Sequence, residues 1–283
     1  MEKIMEDAQM PLRDWISNCE EFNQLYATNY NDEIQKVLGV KWNLTLDEIF
    51  IGQPSKLPSE ITSWIPTKRK LLSIVLSFYD PLDLIAPVFV NSKKHIQGLW
   101  EWKYDWDEIL EPEHANLARN LIQDYTSVNL LTFPRQVIFE NNDLHIFVDS
   151  SQLAYGAVMY VEDLDDGHLR LFCSKSRVCP VRKLSIPRLE LLAILLGCAL
   201  LTTFKNLSRF KQIFLYSDSK VATSWISNPP RKNTFVFNRV RAIFTLLVKF
   251  NVKLKYVPTL QNPADLLTRG ASVNQLQKSS MWR

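Results

Sequence analysis

A chain of 283 residues that is 46% hydrophobic and 22% charged, with 15 Phe, 9 Tyr and 8 Trp, has the apolar content for real cores, which excludes a disordered chain. Its length allows one large domain or two modest ones. The net charge of +3 is uneven: residues 1–60 carry 5 Lys/Arg against 11 Asp/Glu, whereas Gly167 to Arg283 holds 20 Lys/Arg and only three acids, Glu190, Asp218 and Asp265.

At the chain-average density about 12 acids would fall in that last stretch. So basic a region points to a polyanionic partner, and three acids kept inside it need a reason. No apolar run approaches the roughly 20 residues that cross a bilayer, and the longest, Leu189 to Leu201, is broken by Glu190. The acidic N-terminus has no apolar signal core, so the expected location is cytoplasmic or nuclear, not secreted, with no membrane partner. The four cysteines (Cys19, Cys173, Cys179, Cys198) show no CxxC pairing, and the four histidines are not at ligand spacing to them. No zinc site is therefore expected, and the thiols read as reduced.

In chain order, Leu12 to Tyr26 has helical spacing of apolar groups (Leu12, Trp15, Ile16, Cys19, Phe22), and Ile34 to Trp42 reads as a strand pair around Gly39. Thr67 opens a helix through Phe78, Asp80 to Pro87 is a turn, and Val88 to Trp102 and Glu113 to Thr126 are further helices. Trp100, Trp102 and Trp106 cluster in a way that suits packing better than base stacking. A domain boundary falls between Arg135 and Asn142. Beyond it, three strands (144–149, 154–161, 169–174) form an antiparallel meander. A helix follows from Pro187 to about Phe204, then a strand at 212–216, helices at 219–227 and 235–250, a strand at 252–257 and a short helix at 263–268. This order implies an α/β architecture in which parallel strands extend the meander and helices flank the sheet. No repeat or low-complexity tract is present.

Asp149 closes the first strand of that half, and Asp218 lies just past the fourth; ligands of open α/β sheets gather outside such strand ends. Asp218 also suits the N-cap of the helix that follows. Glu190 sits one turn into an almost wholly apolar helix, where a buried carboxylate must be neutral, paired (with Arg188, for example) or bound to metal. Asp265 opens the last helix, where a surface Asp suits the helix dipole. These separate readings do not explain why these acids alone persist in a basic field. A negative centre in a positive surface is what metal-dependent phosphodiester cleavage needs: carboxylates hold two Mg²⁺ ions about 3.5–4 Å apart, while Lys and Arg neutralise backbone phosphates.

The segments Phe147-Val-Asp-Ser-Ser-Gln-Leu-Ala-Tyr-Gly-Ala157, Ser174-Lys-Ser-Arg-Val178, Ile186-Pro-Arg-Leu-Glu-Leu-Leu-Ala193, Ser217-Asp-Ser219 and Tyr256 to Gly270 together resemble the ribonuclease H region of BEL/Pao-type LTR retrotransposon polyproteins. Val37 to Trp42 and Leu76 to Pro87 resemble the stretch that links the reverse-transcriptase palm to that region. The resemblance implies a ribonuclease H-like mixed five-stranded sheet flanked by helices over 142–272. It also implies a smaller, mainly helical module in front: a palm remnant at 1–60 and a thumb/connection segment at 61–138. Residues 273–283 are left as a tail. It makes Asp149, Glu190, Asp218 and Asp265 an acidic quartet for two Mg²⁺ ions, with Mn²⁺ a substitute. The substrate becomes the RNA strand of an RNA–DNA hybrid, with Ser150, Ser151, Lys175, Arg177 and Asn262 as nucleic-acid contacts. The missing palm and fingers of the parent polyprotein become the partner.

The chain departs from that pattern in places. Asp83 stands where the family has Gly, which is expected to strain or reshape the loop. No His precedes Asp265 in its loop, so a His-assisted step is not implied. No Tyr/Phe-x-Asp-Asp motif is present, so no polymerase activity is expected and the chain reads as a polyprotein fragment. Related segments also carry a Pao peptidase label, but an aspartic peptidase needs Asp-Thr/Ser-Gly, and Asp149 is followed by Ser150-Ser151. The rival readings are a noncatalytic nucleic-acid-binding module and a degenerate retroelement remnant.

Overall fold

The computed structural model describes residues 9, 15–26, 33–138, 140–230 and 233–282. Leu12, at the start of the first expected helix, lies outside them, and helix α1 covers Glu20–Tyr26. The expected strand pair is a hairpin of β1 (Ile34–Val37) and β2 (Val40–Asn43). Its two turn residues, Leu38 and Gly39, both have positive φ (48° and 91°), the conformation that matches the twist of a two-residue hairpin. Two further strands, β3 (Glu48–Phe50) and β4 (Thr132–Pro134), extend it into a four-stranded antiparallel sheet. At three residues each they are too short to show a period-2 pattern, so the expected mainly helical module also contains a sheet.

Three helices lie between β3 and β4: α2 (Lys68–Val75), α3 (Ala86–Glu101) and α4 (Pro112–Tyr125). Thr67 caps α2 by accepting the Lys70 N–H at 3.2 Å, while Pro87 and Pro112 stand in the first turns of α3 and α4, where a missing N–H costs nothing.

The C-terminal half contains β5 (Asn142–Ser150), β6 (Ala154–Asp163), β7 (Leu169–Val178), β8 (Phe210–Ser217) and β9 (Val252–Tyr256). Their order is β7-β6-β5-β8-β9; β5, β6 and β7 pair antiparallel, and β8 and β9 add in parallel. This is the expected mixed five-stranded sheet. Alternation along β5 turns Leu144, Ile146 and Val148 to one face, where they form a core with Leu191 and Ile194 of α5 (Ile186–Leu201), Ala222 of α6 (Lys220–Ser227) and Val240 of α7 (Thr234–Lys249). Gly197 lets α5 sit close to the sheet, because a Cβ there would lie 2.7 Å from Val148 Cγ1.

The other face packs against α3 and the short helix α8 (Asp265–Arg269), and a second short helix, α9 (Val273–Lys278), packs on α3. Val158, Tyr160 and Leu171 of the sheet share a core with Ile85, Phe89, Leu99 and Tyr125 of the helical module, and with Leu267, Val273 and Leu276. Segments on either side of residues 135–142 thus share one hydrophobic interior. Residues 273–283, set apart in the sequence as a tail, carry α9 and fully bury Trp282, whose Nε1–H donates to Leu84 O at 2.9 Å. The sequence gives no periodicity over so short a helix, and a lone buried Trp has no local signature.

The turn before α3 is organised by Asp80, whose carboxylate accepts the N–H groups of Leu84 and Ile85 at 2.9 Å each. Asp83 takes up φ +51°, as expected for a position suited to Gly and open to Asp. Its carboxylate meets Lys175 Nζ at 2.5 Å, and Ser174 N donates to Leu82 O at 2.9 Å. The departure from Gly therefore fastens the turn over the edge strand β7, covering part of an open sheet edge. Among the described residues, no helix is long and apolar enough to cross a membrane.

Candidate functional site

The C-terminal ends of β5 and β8 lie side by side in the sheet centre, and the start of α5 passes over them. Asp149 is the penultimate residue of β5, opposite Gly156 in β6. A Cβ at Gly156 would lie 2.7 Å from Leu267 Cβ, so glycine there admits α8 to the strand ends. Asp218 follows β8 directly. It does not cap α6; that role falls to Ser219, whose hydroxyl accepts the Ala222 N–H at 3.2 Å. Glu190 lies in the first turns of α5 and is buried. One carboxylate oxygen each from Asp149, Glu190 and Asp218 falls within 4.8 Å of the other two.

Such crowding is costly in a dry environment, and the carboxyls respond. Burial, then the charges of Asp149 and Asp218, push Glu190 up to about 8. Burial also raises Asp149 to about 6, opposed by a hydrogen bond from Thr268 and helped by the charges of Asp218 and Asp265. Glu190 Oε2 is buried without a hydrogen-bond partner, an arrangement that a bound cation would relieve. Arg188 does not pair with it; its guanidinium lies over the Phe235 ring at 5.1 Å. Three carboxylates, one with a buried oxygen left unpaired, are an all-oxygen donor set suited to Mg²⁺ or Mn²⁺.

The fourth acid stands apart. Asp265 opens α8, and its Oδ1 is held by Arg269 Nε at 2.6 Å on a partly exposed surface. It is near enough to raise Asp149 electrostatically, yet it lies outside the group of three.

Of the expected nucleic-acid contacts, Ser150 is buried beside the cluster, its hydroxyl close enough to Glu190 to oppose the rise of that carboxyl, and Arg177 is exposed on β7. The other three are engaged within the chain. Ser151 accepts Leu153 N–H at 2.9 Å and donates to Thr268 O at 2.7 Å. Asn262 is buried, donates to Val148 O at 3.0 Å and accepts Ala264 N–H at 3.2 Å. Lys175 pairs with Asp83.

Two threonines escaped sequence reasoning. Thr268 Oγ1 donates to Asp149 Oδ2 at 2.5 Å, and Thr259 Oγ1 donates to Asp218 Oδ2 at 2.7 Å. Thr268 lies one turn beyond Asp265, which was the available signal; Thr259 had none.

A family model described as a Pao retrotransposon-like RNaseH-like domain matches residues 67–219, just over half of the chain. The match starts in the helical module, takes in Asp149, Glu190 and Asp218, and stops short of Asp265. A search of the curated proteins finds no match. Among solved structures, the chain is similar to the foamy viral protease-reverse transcriptase in complex with an RNA/DNA hybrid. That similarity has 13% identity and a TM-score of 0.55, over 83% of this chain and 30% of that one. It is likewise similar to the foamy viral protease-reverse transcriptase dRH in complex with double-stranded DNA, at 15% identity and a TM-score of 0.52, over 83% of this chain and 39% of that one. The chain thus spans well under half the length of those structures. At such identities the likeness establishes the fold, a ribonuclease H-like α/β sheet with its preceding module.

Proposed function

The chain belongs to the Pao retrotransposon-like RNaseH-like family, and on that premise we propose that it hydrolyses the RNA strand of RNA–DNA hybrids with two divalent metal ions. The observation that carries this reading is the convergence of Asp149, Glu190 and Asp218 within 4.8 Å, from two strand ends and a helix start. These three would hold the ions, with Mg²⁺ the natural occupant and Mn²⁺ a substitute. When bound, such ions activate water and stabilise the leaving oxygen of a phosphodiester. The residues of the chain set the geometry: Thr268 fixes the Asp149 carboxylate, Thr259 fixes Asp218, and the apolar helix α5 holds Glu190 in a dry setting. Asp265 would complete the quartet once released from Arg269.

Support for the substrate comes from the basic character of residues 167–283 and from the foamy viral neighbour held with an RNA/DNA hybrid. A hybrid presents 2′-hydroxyls in a wide, shallow minor groove, which suits recognition by shape. Residues 1–60 and 61–138 are proposed to be the palm end and thumb/connection of a reverse transcriptase, whose remaining parts would be the partner. The test is cleavage of an end-labelled RNA–DNA hybrid in Mg²⁺ by the full chain and by Asp218→Asn. Metal-dependent cleavage lost in the variant is expected. Binding that is steeply salt-dependent without any cleavage would replace the reading with a noncatalytic nucleic-acid-binding module.

A further inference from the structure

At the opposite end of β5 a second set of ligating side chains converges. Asp143 and Glu162 are directly opposed in the β5–β6 register, and His145 lies two residues along β5 on the same face. One ligating atom from each falls within 4.8 Å of the other two. Like charges directly opposed across a sheet destabilise it. Among the described residues, no Lys or Arg forms an ion pair with either carboxylate. Of the cations on this face, Lys253 Nζ donates to Gln212 Oε1 at 2.7 Å, and Lys255 Nζ lies 3.8 Å from the Phe214 ring centroid, close enough to act on His145 electrostatically.

The histidine is held with unusual firmness. Its ring stacks on Tyr216 (5.7 Å between centroids, 9° between planes) and leans on Phe214 (5.2 Å). Its Nδ1 lies 3.1 Å from the Tyr216 hydroxyl. Its Nε2 is buried and lies 2.7 Å from Glu162 Oε2, an ion pair when the ring is protonated. With Nδ1 against the Tyr216 hydroxyl, Nε2 points at the Glu162 carboxylate, and a metal ion bound there would displace the proton the two share. Asp143 is fixed in turn, because its Oδ1 accepts the Gln212 N–H at 2.9 Å. A histidine oriented through its second nitrogen and a carboxylate oriented by the backbone are what metal sites use outside the ligands themselves.

We propose that Asp143, His145 and Glu162 form a divalent-cation site distinct from the Asp149 cluster, taking zinc or a similar nitrogen-preferring ion over magnesium. One imidazole and two carboxylates make a mixed donor set, and imidazole favours zinc, whereas Mg²⁺ favours oxygen alone. The Glu162 side chain is 30% exposed, which leaves a way in and a position for water. Six residues of strand separate Asp143 from Asp149, about 20 Å at roughly 3.3 Å per residue, so the site stands whether or not the chain cleaves hybrids.

The test is a Zn²⁺ titration of the full chain by calorimetry in excess Mg²⁺, which occupies the all-oxygen cluster, with ¹⁵N-histidine NMR on the same samples. One Zn²⁺ equivalent is expected, with the His145 Nε2 resonance shifted. Affinity should fall at least about tenfold in both His145→Gln and Glu162→Gln, the scale on which even outer-shell changes act. A wild-type chain that takes up no Zn²⁺, or an equivalent that Glu162→Gln retains, overturns the proposal. So does an equivalent lost in Asp218→Asn instead. Should His145→Gln fail to fold, Glu162→Gln and the His145 resonance decide the outcome.

Discussion

The two ends of strand β5 present two acid clusters of different construction. At the C-terminal end, Asp149, Glu190 and Asp218 meet from separate elements with no base among them and a buried oxygen left unpaired. At the N-terminal end, Asp143 and Glu162 face each other within one hairpin, with His145 between and aromatic rings around it. The first cluster is unstable alone, since burial and mutual repulsion raise two of its carboxyls; the second carries its own nitrogen and is braced by packing. A cluster assembled across a fold and strained without a cation is suited to chemistry on a ligand brought to it. A cluster within one hairpin is suited to holding an ion in place.

The largest effect expected is on cleavage. Asp149→Asn and Asp218→Asn should each reduce Mg²⁺-dependent hydrolysis of an RNA–DNA hybrid by at least about a hundredfold, beyond what loss of an outer-shell partner causes. Glu162→Gln should leave it within about twofold. Equal losses at both ends would erase the contrast. Circular dichroism of each variant checks that the fold is kept.

The strain at the first cluster has a sign in pH. Glu190 ordinarily titrates near 4.5 and is raised to about 8 in the folded chain. Between those values the folded state keeps a proton that the unfolded state has lost, so without divalent ions stability falls as pH rises through this window. The full loss is on the order of 5 kcal/mol. Asp149, raised to about 6, adds to the fall up to that pH. Glu190→Gln should flatten the curve and raise the melting temperature at pH 8 in EDTA by on the order of 5–10 °C. Mg²⁺ should do the same for the wild-type chain. Asp80, also raised to about 6 by burial, leaves a residual slope that Mg²⁺ does not move. A melting temperature that climbs from pH 5 to 8 in EDTA would refute this account.

Much of this contrast was legible in the sequence at one end and hidden at the other. Glu190 stood out because a lone acid in an apolar helix is a local anomaly, and Asp149 and Asp218 because strand ends are visible as changes of period. The strands of the five-stranded sheet were visible for the same reason. Asp143, His145 and Glu162 were not, since their meeting depends on strand register, and a search for Cys/His spacing passes over an ion site built from two carboxylates and one histidine. Strands β3 and β4 and helix α9 were too short to show a period. Ser151 and Asn262 looked available for a ligand because the bonds they make reach 117 and 114 residues along the chain. Trp282 was set aside as tail for the same reason, since its place in the core depends on packing that local pattern does not report.

A smaller effect is expected at Thr268, whose hydroxyl fixes Asp149 at 2.5 Å. Thr268→Val keeps the shape and removes the donor, so Mg²⁺ affinity measured by calorimetry should weaken roughly tenfold. Unchanged affinity would mean that Asp149 is held by burial alone.

The smallest effect is the one that decides how many acids the first cluster has. Asp265 is tied to Arg269 by an i,i+4 ion pair whose partners are 33% and 68% exposed, so the pair contributes at most about 1 kcal/mol. Arg269→Ala should therefore leave stability almost unchanged. It also removes the cation that competes for Asp265, which already lies close enough to raise Asp149. If Asp265 is the fourth ligand, Mg²⁺ binding should tighten by about two- to threefold in Arg269→Ala, and the gain should vanish when Asp265→Asn is added. Affinity that ignores Arg269 in both backgrounds reduces the quartet to three, and the contrast between the two ends of β5 then becomes one between two triads that differ only in a nitrogen.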